Sequence, residues 1–233
     1  MRPLLISRTR RLRSFPFSRF SSTASEQSLG AALTSSTAQL CALPDLDGRM
    51  RHVHYYDSGK VTGTGADLPP IVILGGTAQT IDSYAPHIRP ITKHRRLLII
   101  EMRCQGRTEL LPEYGTIQQH VQDFKAIAAA LGISKCDLVG FSFGGRVSLA
   151  VAAHTSLVRR LSVTGVPLRR PALGSTILRS WKEGLKHGEM RSCAWSFIIN
   201  GYSDKFLEKF APKLSLFVEI VVKANDPKKL YHL

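Results

Sequence analysis

Gly140-Phe141-Ser142-Phe143-Gly144-Gly145 sets a serine between two glycines, directly after the apolar run Lys135 to Val139 and directly before the helix-forming run Arg146 to Ala153. This G-x-S-x-G spacing is that of a nucleophile elbow, in which a strand turns sharply into a helix and lifts a hydroxyl clear of the backbone. A side chain held in so tight a turn needs small neighbours, so Gly140 and Gly144 answer a steric demand. The helix N-terminus beneath Ser142 offers unpaired N–H groups and a positive dipole end to a developing oxyanion. The chemistry on offer is attack by a serine hydroxyl on an acyl carbon. A chance glycine-rich turn would share the spacing; the flanking strand and helix signals favour the elbow.

Other chemistry is sparse. Cys41, Cys104, Cys136 and Cys193 are scattered without C-x-x-C spacing. Neither a disulfide framework nor a zinc site is expected, and nothing in the sequence calls for a cofactor.

The elements that must position Ser142 alternate. An alternating segment around a turn, Asp47 to Asp57, reads as the first strand. Ile71-Val72-Ile73-Leu74 and Leu97-Leu98-Ile99-Ile100 are short apolar runs of the kind buried on both faces of a parallel sheet. Between them Tyr84 to Thr92 fits a crossover helix. Ile117, Val121, Phe124, Ile127 and Leu131 make one helical stripe, opened by a Thr116/Gln119 capping box and closed by Gly132. Val158 to Gly165 reads as a further strand. This rhythm calls for a doubly wound, mostly parallel α/β sheet, with reactive groups at the carboxyl ends of the strands.

Composition bounds the rest. The chain has 233 residues, 43% hydrophobic, and a formal charge of +15. Much of that charge lies in residues 1–23, which hold six arginines and no acidic residue; without them it falls to +9. Arginine-rich, serine-rich and acid-free composition is that of an organelle transit peptide, with Arg19-Phe20-Ser21-Ser22 as a processing site and residues 24–46 as a linker. A mitochondrial destination is expected, with plastid or cytoplasm as alternatives. A basic arm touching RNA or anionic lipid is the competing reading; sparse aromatics and lysines speak against nucleic acid. No apolar run is long enough for a membrane span.

Residues from Asp47 to Pro171 resemble the core of the α/β-hydrolase superfamily. Leu74-Gly75-Gly76-Thr77 stands in place of the family's H-G-x segment, Glu101 to Thr108 in place of its D-x-x-G-x-G-x-S loop, and Gly140 to Gly145 is the elbow. Gly75 replaces the usual histidine, and Glu101, Cys104 and Gln105 replace aspartate, glycine and histidine. The resemblance implies a core over 47–167 and an oxyanion hole made by the backbone N–H groups of Thr77 and Phe143. It also implies a helical lid over 168–233, where Ile177, Trp181, Leu185, Ala194 to Ile199, Phe206 to Phe210 and Leu214 to Val222 suggest short amphipathic helices. Arg169, Arg170, Arg179, Lys182, Lys186 and Arg191 make its first part basic: a solvated face, or an entrance that attracts carboxylates. The family's acid and histidine come from loops after strands seven and eight, and the sequence ends before those strands. His154, His187, His232, Asp204 and Asp226 sit in unsuitable contexts, so neither role is assigned to a residue.

Three functions follow as expectations: a serine-type hydrolase of an ester or related acyl bond, or a fragment of one; a lyase; or a non-catalytic protein that binds a ligand under the lid. The lyase reading rests on Ser142-Phe143-Gly144-Gly145-Arg146, which looks like the 2-succinyl-6-hydroxy-2,4-cyclohexadiene-1-carboxylate synthases; there Arg146 would pair a substrate carboxylate. In each case the partner is a small acyl or carboxylated molecule.

Overall fold

The computed structural model describes residues 38–45, 47–110, 115–167, 169 and 171–233. The transit-peptide reading of residues 1–23 and the linker reading of 24–37 lie outside the described residues.

Six strands form one sheet: β1 (Gln39–Pro44), β2 (Met50–Asp57), β3 (Ile71–Leu74), β4 (Leu97–Ile100), β5 (Cys136–Phe141) and β6 (Val158–Thr164). Their spatial order is β1-β2-β4-β3-β5-β6. β1 and β2 run antiparallel to each other, and β2 antiparallel to β4, while β4, β3, β5 and β6 are mutually parallel. β1 corrects the linker reading of residues 39–44. Cys41 and Leu43 alternate into the core while their neighbours face out, so a short strand pays its ordering entropy with buried side chains.

The apolar runs of β3 and β4 are buried on both faces because helices lie on both sides. Val72, Leu74, Leu98 and Ile100 pack with Leu138 and with residues of α2 (Ile117–Ala130) and α3 (Ser142–His154). Ile73, Leu97 and Ile99 face the other way, onto a 3-10 turn (Ile81–Tyr84) and α1 (Ala85–Thr92). The expected stripe on α2 is the one buried, and Gly132 takes a left-handed φ of +64° after it. The capping box is only half made. Thr116 Oγ1 accepts from the Gln119 N–H at 3.2 Å, but the Gln119 side chain donates to Asp123 at 3.3 Å.

Asp123 has a stronger claim on Gln119 because it belongs to a buried ion cluster. The fully buried Arg103 donates Nε to Asp123 Oδ2 at 3.0 Å, Nη2 to Asp123 Oδ1 at 2.9 Å and Nη1 to Asp45 Oδ1 at 2.8 Å. This cluster ties the loop after β4 to α2 and to the end of β1. β6 closes the other side of the sheet with an exposed edge carrying Leu161 and Val163.

After β6 come the short helices expected of a lid: α4 (Ala172–Lys186), α5 (Met190–Gly201), α6 (Asp204–Phe210), α7 (Leu214–Ala224) and α8 (Pro227–Tyr231). Ala194, Ile198 and Val218 pack α5 against α7. Leu185, Met190, Cys193 and Leu230 form a second cluster that reaches the core through Ala78. No described helix is long and apolar enough to cross a membrane. The four cysteines are buried and no disulfide joins them.

Candidate active site

Ser142 opens α3 immediately after β5, with a φ of +49°. A non-glycine residue in this region is held there by its surroundings. Those surroundings are glycines. A Cβ on Gly140 would lie 2.6 Å from Gly145 Cα and collide with Ser148 Oγ; one on Gly144 would run into the carbonyl oxygens of Leu74 and Gly75. The crowding is what lets the start of α3 drop against the end of β3. Ser148, fully buried, turns its hydroxyl to Gly144 O at 2.7 Å.

Opposite the exposed Ser142 lies the turn after β3. A Cβ on Gly76 would sit 3.3 Å from Ser142 Cβ, so nothing larger than glycine leaves that approach open. The turn closes with Gln79 N–H donating to Gly76 O at 3.1 Å, and Ala78 takes a left-handed φ of +63°. Gln79 Oε1 accepts twice, from Gly76 N–H and from Tyr84 O–H, both at 2.6 Å. Burial pushes the Tyr84 hydroxyl well above its ordinary pKa, so it stays a donor. With Gly76 N–H occupied, the N–H groups of Thr77 and Ala78 are left without an acceptor among the described residues, and Thr77 N–H is the one the family pattern points to. Phe143, second residue of α3, lies in the first helical turn, where N–H groups have no carbonyl within the helix. The two N–H groups expected to form an anion site therefore belong to segments that meet at Ser142.

Glu101 proves to be an organiser of the loop after β4. Its buried carboxylate accepts Ile81 N–H at 3.2 Å, Arg107 N–H at 2.9 Å and Arg107 Nη2 at 3.2 Å, capping the 3-10 turn and folding the loop around itself. A Cβ on Gly106 would meet Glu101 Oε2 at 2.6 Å. Behind Phe143 lies His120 of α2, ring centroids 5.2 Å apart, with Nε2 buried and without a hydrogen-bond partner among the described residues. Burial first, then the nearby Arg103, lower its pKa to about 4, so it is neutral at physiological pH.

The remaining candidates are not gathered at Ser142. His154 closes α3, about 18 Å along the helix from Ser142 by its rise of 1.5 Å per residue. His187 pairs with Glu183 at 3.1 Å on an exposed face, and His232 stands edge-on to Tyr231. Asp204 is exposed, and Asp226 caps α8 by accepting Lys228 N–H at 2.8 Å. Ser142 Oγ makes no hydrogen bond among the described residues. Arg146, one turn beyond it, is exposed and makes no ion pair among them. Trp181 is a packing residue, its indole N–H on Ser196 Oγ at 2.7 Å and its ring on Phe197. Among the described residues no group of three or more His, Cys, Asp or Glu side chains is gathered as metal ligands.

Sequence reasoning missed Gln79, Tyr84, His120 and Asn225. Asn225 follows α7 and reaches the Ser142-facing turn: its Nδ2 donates to Ala78 O at 3.0 Å. Only His120 left a trace, as a polar residue beside the apolar stripe of α2.

A strand-to-helix corner with a strained serine, facing a glycine turn across the carboxyl ends of a parallel sheet, defines an α/β-hydrolase core. The chain belongs to that family: the family model of the α/β-hydrolase fold matches residues 69–186, half of the sequence. It is similar to the (E)-2-((N-methylformamido)methylene)succinate hydrolase of Acinetobacter baylyi, 24% identical over 142 residues, which are 60% of this chain and 51% of that protein. The chain thus spans about half the length of that relative. Among solved structures, the enol-lactonase of Burkholderia xenovorans matches with a TM-score of 0.69 at 19% identity, over 82% of this chain and 71% of that one. An α/β-hydrolase enzyme, MGS-M2, from a Medee basin deep-sea metagenome library, matches with a TM-score of 0.69 at 21% identity, over 82% and 70%. At such identities the likeness is one of fold.

Proposed function

We propose that this chain carries the nucleophile and oxyanion site of a serine hydrolase acting on an ester or related acyl bond of a small, carboxylate-bearing substrate. The observation that carries the reading is Ser142 at φ +49°, facing a turn in which Thr77 N–H has no acceptor among the described residues. Ser142 Oγ attacks the acyl carbon, its proton leaves to a base, and the carbonyl oxygen becomes an oxyanion held by the Thr77 and Phe143 N–H groups. Each such donor contributes about 10²- to 10³-fold in rate. The reading covers nucleophile and oxyanion site; it assigns no general base. The relative from Acinetobacter baylyi, named for a substituted succinate, supports a carboxylated substrate, and Arg146, exposed one turn beyond Ser142, is the cation we assign to it.

A fluorophosphonate probe tests this directly: Ser142 becomes labelled and Ser142→Ala does not. A folded chain that fails to label, or labels equally in Ser142→Ala, overturns it. Arg146, which makes no ion pair among the described residues, also favours a second reading, the carboxylate-recognising lyase. Release of pyruvate from 2-succinyl-6-hydroxy-2,4-cyclohexadiene-1-carboxylate synthase substrate, without turnover of simple esters, selects that reading.

A further inference from the structure

Asn225 lies between α7 and α8, buried, 147 residues from its partner Ala78. Its side-chain amide joins three segments. Nδ2 donates to Ala78 O at 3.0 Å and to Val221 O at 3.1 Å within the lid, and Oδ1 accepts Gly106 N–H at 3.3 Å from the loop after β4. Both amide hydrogens are used, each on a carbonyl that a hydrocarbon side chain could not serve.

The Thr77 N–H lies between two pinned groups. On the core side, Gln79 Oε1 holds the Gly76 N–H; on the lid side, Asn225 holds the Ala78 carbonyl in a turn whose left-handed Ala78 would not persist unaided. We infer that Asn225 is a positioning residue, a lid amide that sets the direction of the Thr77 N–H toward Ser142. This rests on the reading of Thr77 as oxyanion donor. The lid has a second fastening to the core: Lys229 Nζ donates to Gly106 O at 3.2 Å and Thr108 O at 2.9 Å, sharing Gly106 with Asn225 but making no bond to Ala78. Attachment of the lid and orientation of the turn can therefore be separated by mutation.

Asn225→Asp keeps the shape and the acceptor for Gly106 N–H but sets an oxygen against Ala78 O. Lys229→Met loosens the lid and leaves the turn alone. Two readouts on the full chain decide. The first is kcat and KM for p-nitrophenyl acetate together with the rate of fluorophosphonate labelling; the second is amide hydrogen exchange at Gly76 and Gln79, whose N–H groups are bonded within the turn. Asn225→Asp should lower kcat and the labelling rate about 30- to 100-fold, most of the value of one oxyanion donor, with KM within about threefold. It should also speed exchange at Gln79 about tenfold while the β3 amides keep wild-type protection. Lys229→Met should leave kcat and Gln79 exchange as in wild type. If the wild-type chain does not label yet Gln79 exchange rises in Asn225→Asp, the nucleophile reading fails and the positioning role stands. Unchanged Gln79 exchange in Asn225→Asp, or equal losses of kcat in Asn225→Asp and Lys229→Met, overturns the inference.

Discussion

Gly144→Ala adds one methyl group at the closest approach of α3 to the sheet. Its carbon would overlap the carbonyl oxygens of Leu74 and Gly75 and stand 2.6 Å from Leu74 C. No side-chain rotation relieves these contacts, because the three nearest atoms are all backbone. Leu74 is held in register on both sides, by Ile100 of β4 and Gly140 of β5, so relief means sliding a central strand or lifting α3. Lifting α3 would pull Gly145 from Val166 and break the packing of Val147 and Val151. Overpacking by a methylene ordinarily costs about 1–3 kcal/mol; with rigid backbone on both sides we expect about 4 kcal/mol. For a domain of this size that is a fall in Tm of about 8–16 °C. Thermal melts followed by circular dichroism measure it, with Ser142→Gly as internal control. That substitution relieves a left-handed conformation worth about 1 kcal/mol, against the larger unfolded-state entropy of glycine, and should melt within about 3 °C of the parent. A Gly144→Ala protein melting within about 2 °C of the parent would refute the tight elbow and the steric argument for its glycines.

Two further outcomes follow from buried charge. Arg103→Met leaves the two carboxylates of Asp45 and Asp123 without their shared cation and should cost about 3–5 kcal/mol in urea unfolding, whereas replacing Asp45, Arg103 and Asp123 together by apolar residues should cost much less. His120 is neutral in the folded protein with a pKa of about 4, below the ordinary 6.5, so the unfolded chain binds the extra proton. Stability is full above about pH 6.5 and is lost as pH falls toward 4, by on the order of 3 kcal/mol. His120→Phe should flatten that part of the pH–stability curve; an unchanged slope would show that His120 is not the group responsible.

What could be read from the sequence was local. Gly140, Ser142 and Gly144 announce the elbow because a strained turn restricts its own neighbours. Ile71 to Leu74 and Leu97 to Ile100 announce buried strands because burial on both faces demands continuous apolar residues. The half-made capping box marks the boundary of such reasoning: Thr116 caps as its type predicts, but Gln119 is claimed by Asp123, whose own fate depends on Arg103, 20 residues away in sequence. Gln79 and Asn225 were illegible for the same reason. An amide is a generic donor and acceptor, and only tertiary placement decides whether it faces water or Ala78 O. β1 was missed because two inward residues, Cys41 and Leu43, make too short an alternation to stand out from a polar stretch.

Position 75, glycine where the family pattern has histidine, is filled from elsewhere in the chain. A Cβ there would lie 3.1 Å from Gln79 Cβ and 3.2 Å from Tyr84 Oη. The space belongs to two side chains that arrive four and nine residues later. Positions 75, 79 and 84 are consequently one compound trait, and their substitutions are epistatic. Histidine at 75 alone would press on Gln79, whose Oε1 occupies the Gly76 N–H, and on Tyr84, which donates to that same oxygen. A change that looks like a return to the family pattern would thereby disturb which backbone hydrogens greet an anion.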